Sequence, residues 1–183
     1  MVDKVAELMT LAEFLEWDNG TDARYELVRG KVVAMGRPSA AHSVIVPNIG
    51  AAVRGNLKRR FYVGTTAGVI PSDHDDTFYV ADLVVSCTPL ETAMVTIPQP
   101  VLIVEVLSAT TAEHDRSKAY DYRRIDSVRE IGLVSSEQRH VVTWRRRGTK
   151  WEVEDLIGDA VLELESVRVT VPFAAIYADS GVS

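Results

Sequence analysis

Two acidic side chains interrupt stretches of the sequence that are otherwise apolar. Asp82 lies in the run 78–86 and Glu105 in the run 101–107, and both runs are typical of strands buried on both faces of a sheet. A carboxylate in such a strand is costly unless it is paired, hydrogen-bonded or bound to a cation. Because the two runs are consecutive, we expect neighbouring strands and converging carboxylates, whose repulsion a hard cation such as Mg²⁺ would remove. The alternative is that each carboxylate lies at a strand end and reaches solvent or an arginine.

A lysine in the next predicted helix could complete such a site. Lys118 lies about one turn into a helix predicted over 113–125, and Asp115 and Tyr122 share its face because they stand at i−3 and i+4. A lysine beside a metal-bound water can orient that water or stabilise negative charge that develops on a phosphate. The simpler alternative is a surface ion pair with Asp115 or Asp121.

The order of the predicted elements indicates a mixed-sheet α/β or α+β domain. Thr10 and Glu13 form a capping box at the start of the first helix. Pro47 falls in the second predicted helix, where proline is tolerated only near the start. In chain order we predict a helix after Thr10, a hairpin (25–28 and 31–35), a helix (41–60), strands (61–70, 78–86 and 101–107), a helix (113–125), a strand (130–134), a hairpin (140–146 and 150–156), a pair of strands (162–171) and a helical turn (172–177).

Length and composition are those of one soluble globular domain, which we expect to span 1–183 with its core at about 10–177. No apolar run is long enough to cross a membrane, and the single cysteine, Cys87, favours a reducing cytoplasm. The formal net charge of −6 argues against non-specific coating of nucleic acid. Basic residues do cluster at 54–60, 116–124 and 145–147, most simply as solvated faces.

Five segments together resemble a known family. They are Tyr25–Val32, His42, Val80–Val85, Val104–Ser108 and the spaced motif Asp115-Arg116-x-Lys118-x-x-x-Tyr122. In this order they resemble a bacterial family of restriction-endonuclease-like proteins, without assigned function, in the PD-(D/E)xK nuclease superfamily. The resemblance runs from about residue 10 to residue 177. It implies a central mixed β-sheet flanked by helices, with an N-terminal β-hairpin.

The resemblance also implies a metal centre. Asp82 matches the aspartate of the first half of the superfamily motif, and Glu105 matches the acidic residue of the second half. The carbonyl of Val106 matches the usual backbone metal ligand. The implied cofactor is Mg²⁺ or Mn²⁺, which would activate a water for in-line attack on a phosphodiester.

Other positions carry roles that the resemblance implies less directly. Leu107 stands where the motif usually has lysine, so the lysine role falls to Lys118 on the following helix. Glu26 resembles an additional acidic residue that some superfamily members supply from the N-terminal region. His42 and Tyr122 are candidates to line the cleft, although capping or packing explains His42 equally well.

The function implied is a Mg²⁺-dependent DNA endonuclease, and a homodimer would serve the two strands of a duplex. The rival hypothesis is a catalytically inactive protein that keeps the fold as a binding or interaction module. The acidic net charge and the segment 111–114, which is less basic than in similar family members, favour the rival. The retained Asp82, Glu105 and Lys118 favour the nuclease.

Overall fold

A computed structural model of the chain describes residues 8–18, 20–21, 23–71, 75–109 and 112–183. Its elements, in chain order, are α1 (Leu11–Glu16), β1 (Tyr25–Val28), β2 (Lys31–Ala34), α2 (Ala40–Asn56), β3 (Tyr62–Val69), β4 (Tyr79–Ser86), β5 (Pro100–Leu107), α3 (Ala112–Tyr122), β6 (Glu130–Ser135), β7 (His140–Arg147), β8 (Lys150–Ile157), β9 (Val161–Leu164), β10 (Val169–Pro172) and α4 (Phe173–Ile176).

Six of the strands form the central sheet, in the order β3-β4-β5-β6-β7-β8. Neighbouring strands are antiparallel except β5 and β6, which are parallel and are joined by α3. A parallel pair requires such a crossover, whereas antiparallel neighbours need only a turn. The sheet is therefore mixed and flanked by helices, as the sequence predicts.

The two faces of the sheet are covered by different elements. On one face α2, the β9–β10 hairpin and α4 bury side chains such as Ile45 and Ile49 against Val104. On the other face α3 buries Ala119 and Tyr122. Strand β5 contributes to both layers because successive side chains point to opposite faces. Its alternation directs Val104 and Val106 toward α2, and directs Glu105 toward α3.

The predicted N-terminal hairpin is present as β1 and β2. Its turn residues Arg29 and Gly30 have φ of 51° and 77°, the two positive values that a tight two-residue hairpin turn requires. The hairpin attaches to the start of β4 through the bridge between Leu27 and Phe78. The capping box of Thr10 and Glu13 is also present at α1.

One expectation about α2 is wrong. Pro47 is not near the helix start but is the eighth residue of α2, which ends at Asn56 and not at residue 60. An internal proline costs about 3 kcal/mol. The burial of Ile45, Ile49 and Val53 on the sheet outweighs that cost, since packing and not propensity dominates the stability of a helix in a protein.

Among the described residues no helix is long and apolar enough to span a membrane.

Candidate active site

The carboxylates of Asp82 and Glu105 converge where strands β4 and β5 separate. The ladder between these strands has no pair beyond Leu83 and Val104. Instead, the N–H of Val106 donates to Oδ2 of Asp82 at 2.7 Å, and the N–H of Asp82 donates to Oε2 of Glu105 at 3.3 Å. Each carboxylate thus accepts a hydrogen bond from a backbone N–H of the other strand. Both charges can therefore lie here without leaving these N–H groups unpaired.

Strand β3, which flanks Asp82 on the side away from β5, is distorted. The β3–β4 ladder is interrupted between Thr65–Leu83 and Ala67–Ala81, which leaves Thr66 unpaired across from Asp82. Thr66 has φ of 53°, the left-handed region that a β-branched residue rarely adopts. Strain of this kind is typical of functional sites.

Replacing Thr66 with glycine tests this strain. We expect Thr66→Gly to leave the unfolding free energy unchanged or to raise it by up to about 1 kcal/mol, because the relief of left-handed strain exceeds the entropic cost of glycine. The matched control Thr65→Gly, which involves no positive φ, should lower it by about 1 kcal/mol. Urea denaturation of both variants checks the difference; equal losses would contradict it.

Glu105 is held from the α3 side. Its Oε1 accepts a hydrogen bond from the hydroxyl of Tyr122 at 2.6 Å and lies 3.0 Å from Nζ of Lys118. Glu105 is 1% exposed, and burial raises its pKa to about 8, against the opposing charge of Lys118. A bound cation would lower that pKa again, because it favours the ionised form.

Lys118 contacts three carboxylates of the site. Its Nζ lies 3.0–3.3 Å from oxygens of Glu26, Glu105, Asp115 and Val80. Burial lowers the pKa of Lys118, but the charges of Glu105, Glu26 and Asp115 outweigh burial and raise it. Because an ammonium group has three donors and four acceptors already surround it, Lys118 would have to exchange a partner to reach a substrate. Lys118 does pair with Asp115, but the pair is buried and not the surface ion pair that the simpler alternative expected, and it exists together with the contact to Glu105.

Glu26 connects the hairpin to α3. Its Oε1 accepts from Lys118 at 3.1 Å and from the N–H of Val80 at 2.8 Å, and its Oε2 lies 2.6 Å from Nε2 of His114. Burial raises the pKa of Glu26, yet the hydrogen bond from His114 and the charge of Lys118 together lower it. The hydrogen bond with Glu26 raises the pKa of His114. Glu26 therefore positions Lys118 and His114.

The pair of Glu26 and His114 predicts a pH-dependent stability. A lowered carboxyl pKa stabilises the fold above the ordinary value of 4.5, and a raised imidazole pKa stabilises it below 6.5, with the imidazole contribution lost as pH rises through the folded pKa. His114→Gln should therefore lower the unfolding free energy by about 1 kcal/mol between these two values, and by less above them, given the partial exposure of the ring. Denaturation across pH measures this. In a Glu26→Gln background the effect of His114→Gln on the unfolding free energy should no longer depend on pH, and a dependence that persists would contradict the pairing.

His42 approaches Asp82 from α2. Ser39 caps this helix by accepting a hydrogen bond from the N–H of His42, which sets the ring at the helix start. Nε2 of His42 lies 3.1 Å from Oδ2 of Asp82. That hydrogen bond raises the pKa of His42, against the effect of burial.

These side chains lie in a cleft of about 720 Å³ between the β1–β2 hairpin, the start of α2 and the start of α3. Glu26, His42, Asp82, Glu105 and Lys118 all line it. Tyr122 does not, which corrects the expectation that it lines the cleft. It is fully buried because it lies on the inner face of α3, with its ring packed edge-on against Tyr79 at 5.8 Å, and its hydroxyl supports Glu105 from behind.

The available donors suit a hard divalent cation. Among the described residues no three His, Cys, Asp or Glu side chains form a ready-made metal cluster, so a metal ion here would have the carboxylate pair as its side-chain ligands. Among the described residues, none donates a hydrogen bond to Oδ1 of Asp82, and only the N–H of Asp82, at 3.3 Å, donates one to Oε2 of Glu105. Mg²⁺ typically binds one or two carboxylates and keeps several waters, so two oxygen donors beside an open cleft fit its needs.

The fold is that of a nuclease-like protein. It matches the crystal structure of "a putative nuclease belonging to DUF820" from Anabaena variabilis with a TM-score of 0.76, over 93% of this chain and 98% of that one. The two sequences are 18% identical, so this likeness concerns the fold.

The family follows from the sequence match. A family model, Uma2, described as "Putative restriction endonuclease", matches residues 11–172, and the chain belongs to this family. Two relatives from Synechocystis are uncharacterized proteins. One is 23% identical over 177 residues, covering 92% of this chain and 99% of the relative; the other is 25% identical over 169 residues, covering 90% and 89%. The resemblance inferred from the sequence is confirmed, as is the expected fold.

Sequence reasoning missed part of the site. His114 stands at i−4 from Lys118 and therefore shares its helix face, a signal that could have included it. Thr66 carried no signal, because only the backbone shows its positive φ. Residue 111 of the segment expected to be less basic lies outside the described residues.

Proposed function

We propose that this protein is a single-domain, divalent-metal-dependent nuclease that hydrolyses phosphodiester bonds of DNA, with Mg²⁺ or Mn²⁺ as the cofactor. We also propose that it acts in the cytoplasm and as a homodimer. The observation that carries the catalytic proposal is the convergence of Asp82 and Glu105 at the floor of an open cleft, where strand pairing stops.

Each residue has a proposed role. Asp82, Glu105 and the carbonyl of Val106 would hold the metal, which when bound supplies Lewis acidity and an activated water. Lys118 offsets the negative charge of the buried carboxylates and keeps Glu105 oriented. Glu26 in turn fixes Lys118.

The experiment is cleavage of end-labelled DNA by the purified protein with Mg²⁺, Mn²⁺ or EDTA. We expect cleavage with the metals, none with EDTA, and none with Glu105→Gln, which keeps the shape of the side chain and removes its charge. Arg59→Gln, at an exposed position in the turn that follows α2, is the matched control and should cleave as the wild type does. Cleavage that persists in EDTA or in Glu105→Gln would contradict the proposal.

One observation favours the rival function of a binding module without catalysis. Lys118 and Tyr122 already satisfy Oε1 of Glu105, so part of the site is stable without a metal. A binding module should bind nucleic acid or a protein equally well with and without Mn²⁺, and should cleave no substrate. Binding that requires the metal, together with cleavage, would exclude it.

A further inference from the structure

The arginines of the basic cluster 145–147, at the end of β7, bond to other groups of the protein itself. Arg145 donates to Glu130 at 2.8 Å and to the carbonyl of Glu163 at 2.8 Å. Arg147 forms a two-point ion pair with Glu165 at 2.7 and 2.8 Å. These guanidinium groups connect the sheet to the β9–β10 hairpin and are not directed at the cleft.

Arg146 and Arg123 also contact other groups of the protein. Arg146 donates to the carbonyls of Val128, Arg123 and Ile125. Arg123 stacks on the rings of Tyr120 and Trp144, 4.6 and 4.5 Å from their centroids.

The cluster at 54–60 is distant from the carboxylates. It begins near the end of α2, whereas His42 lies at the start of the same helix. Twelve residues of helix separate Arg54 from His42, about 18 Å at 1.5 Å per residue. A protein that makes about 6–10 phosphate contacts along a duplex needs a comparable number of basic groups, and the described residues that line the cleft do not provide them.

Two arginines do face the cleft. Arg24 and Arg37 line it and are exposed, and neither forms an ion pair with a described residue. They flank the open end of the hairpin, where the N–H of Met35 donates to the carbonyl of Arg24 at 2.9 Å. Arg116 faces a separate pocket of about 90 Å³ on the other side of Ser108.

Part of the cleft lining, called the apolar wall below, is formed by apolar residues. They come from β2, from the segment that follows it and from the first turns of α2, namely Val33, Ala34, Met35, Pro38, Val46 and Pro47. Such a wall suits the face of a base, and base faces are accessible only when a nucleotide is unstacked. In a duplex the bases cover each other's faces, so the wall would have no matching surface.

We propose that the cleft takes a single-stranded polynucleotide, or an unstacked stretch of one. One base lies on the apolar wall. The phosphate to be cleaved lies above Asp82 and Glu105, and Arg24 and Arg37 hold the phosphates next to it. This inference rests on the proposed function and specifies its substrate class.

The test measures the binding of fluorescent oligonucleotides by anisotropy. The oligonucleotides share one sequence and are prepared as single-stranded DNA, single-stranded RNA and duplex DNA. Ca²⁺ is present to occupy sites with oxygen ligands. We expect at least one single-stranded form to bind about tenfold or more tightly than the duplex. With two phosphate contacts, the slope of log K against log salt should be about −1.4, compared with about −5 to −9 for a duplex site with 6–10 contacts. Arg24→Gln and Arg37→Gln should each flatten the slope by about 0.7, and the control Arg59→Gln should not.

Three results would overturn the inference: a duplex bound as tightly as both single-stranded forms, a slope steeper than about −3, or no binding of any form up to about 100 μM. These results are separate from the failure of the nuclease proposal. If the wild type cleaves with Mn²⁺ and prefers a duplex, only the substrate class is wrong. If it binds no divalent metal and cleaves nothing, the nuclease is wrong.

Discussion

Lys118→Met is expected to lower the unfolding free energy by about 3–5 kcal/mol in the absence of divalent metal. The side chain of Lys118 is 3% exposed and lies 3.0–3.1 Å from carboxylate oxygens of Glu105, Glu26 and Asp115. Methionine fills a similar volume but removes the nearest cation from three buried or nearly buried carboxylates, of which Glu26 keeps only His114 as a partner that can carry a positive charge. Removal of one partner from a buried ion pair costs far more than loss of a surface pair, because the remaining charge stays desolvated.

Urea denaturation in EDTA measures this loss. Lys150→Met, at the exposed start of β8, is the matched control and should change stability by no more than about 0.5 kcal/mol. Adding Glu105→Gln to Lys118→Met should cost less than the sum of the single losses, because it removes one of the uncompensated charges. A loss in Lys118→Met as small as in the control would contradict the buried charge network.

Asp82→Asn should reduce metal-dependent cleavage at least about 100-fold, since one of two charged metal ligands is lost. The amide oxygen of asparagine can still accept the hydrogen bond from the N–H of Val106, so the separation of β4 and β5 should persist. The loss of activity should therefore come with little change in stability.

Single-turnover cleavage and thermal unfolding of the same samples separate activity from folding. His42→Gln is a graded comparison, because it touches Asp82 from outside the metal site and should reduce activity only about 10- to 100-fold. Cleavage by Asp82→Asn within tenfold of the wild type would contradict a metal-holding role for Asp82.

The sequence contains enough information to predict the centre of the site. Asp82 and Glu105 stand out because their strands are otherwise apolar, and a charge at such a position is informative. The spacing from Lys118 to Tyr122 indicates one helix face, and both residues do lie on the face of α3 that meets Glu105. The hairpin follows from two short apolar runs on either side of Gly30.

The burial of a side chain and its long-range contacts are harder to predict from the sequence. Helical spacing shows that Tyr122 shares a face with Lys118, but only the packing of α3 shows that its ring is fully buried and cannot line the cleft. Glu26 meets His114 and Lys118 across about ninety residues of sequence, a contact that local pattern does not encode. The expectation for Pro47 is wrong for a similar reason, since tertiary burial of α2 outweighs the local cost of proline.

The proposed function depends on a divalent metal ion held in the cleft by Asp82 and Glu105. Calorimetric titration of Mn²⁺ or Mg²⁺ into the wild type and into Asp82→Asn tests it most directly, without dependence on any substrate. We predict one site per chain with a Kd tighter than about 1 mM in the wild type, weakened at least about tenfold in Asp82→Asn. A wild type that binds neither metal at about millimolar concentration, or an Asp82→Asn variant that binds equally well, would contradict the proposal.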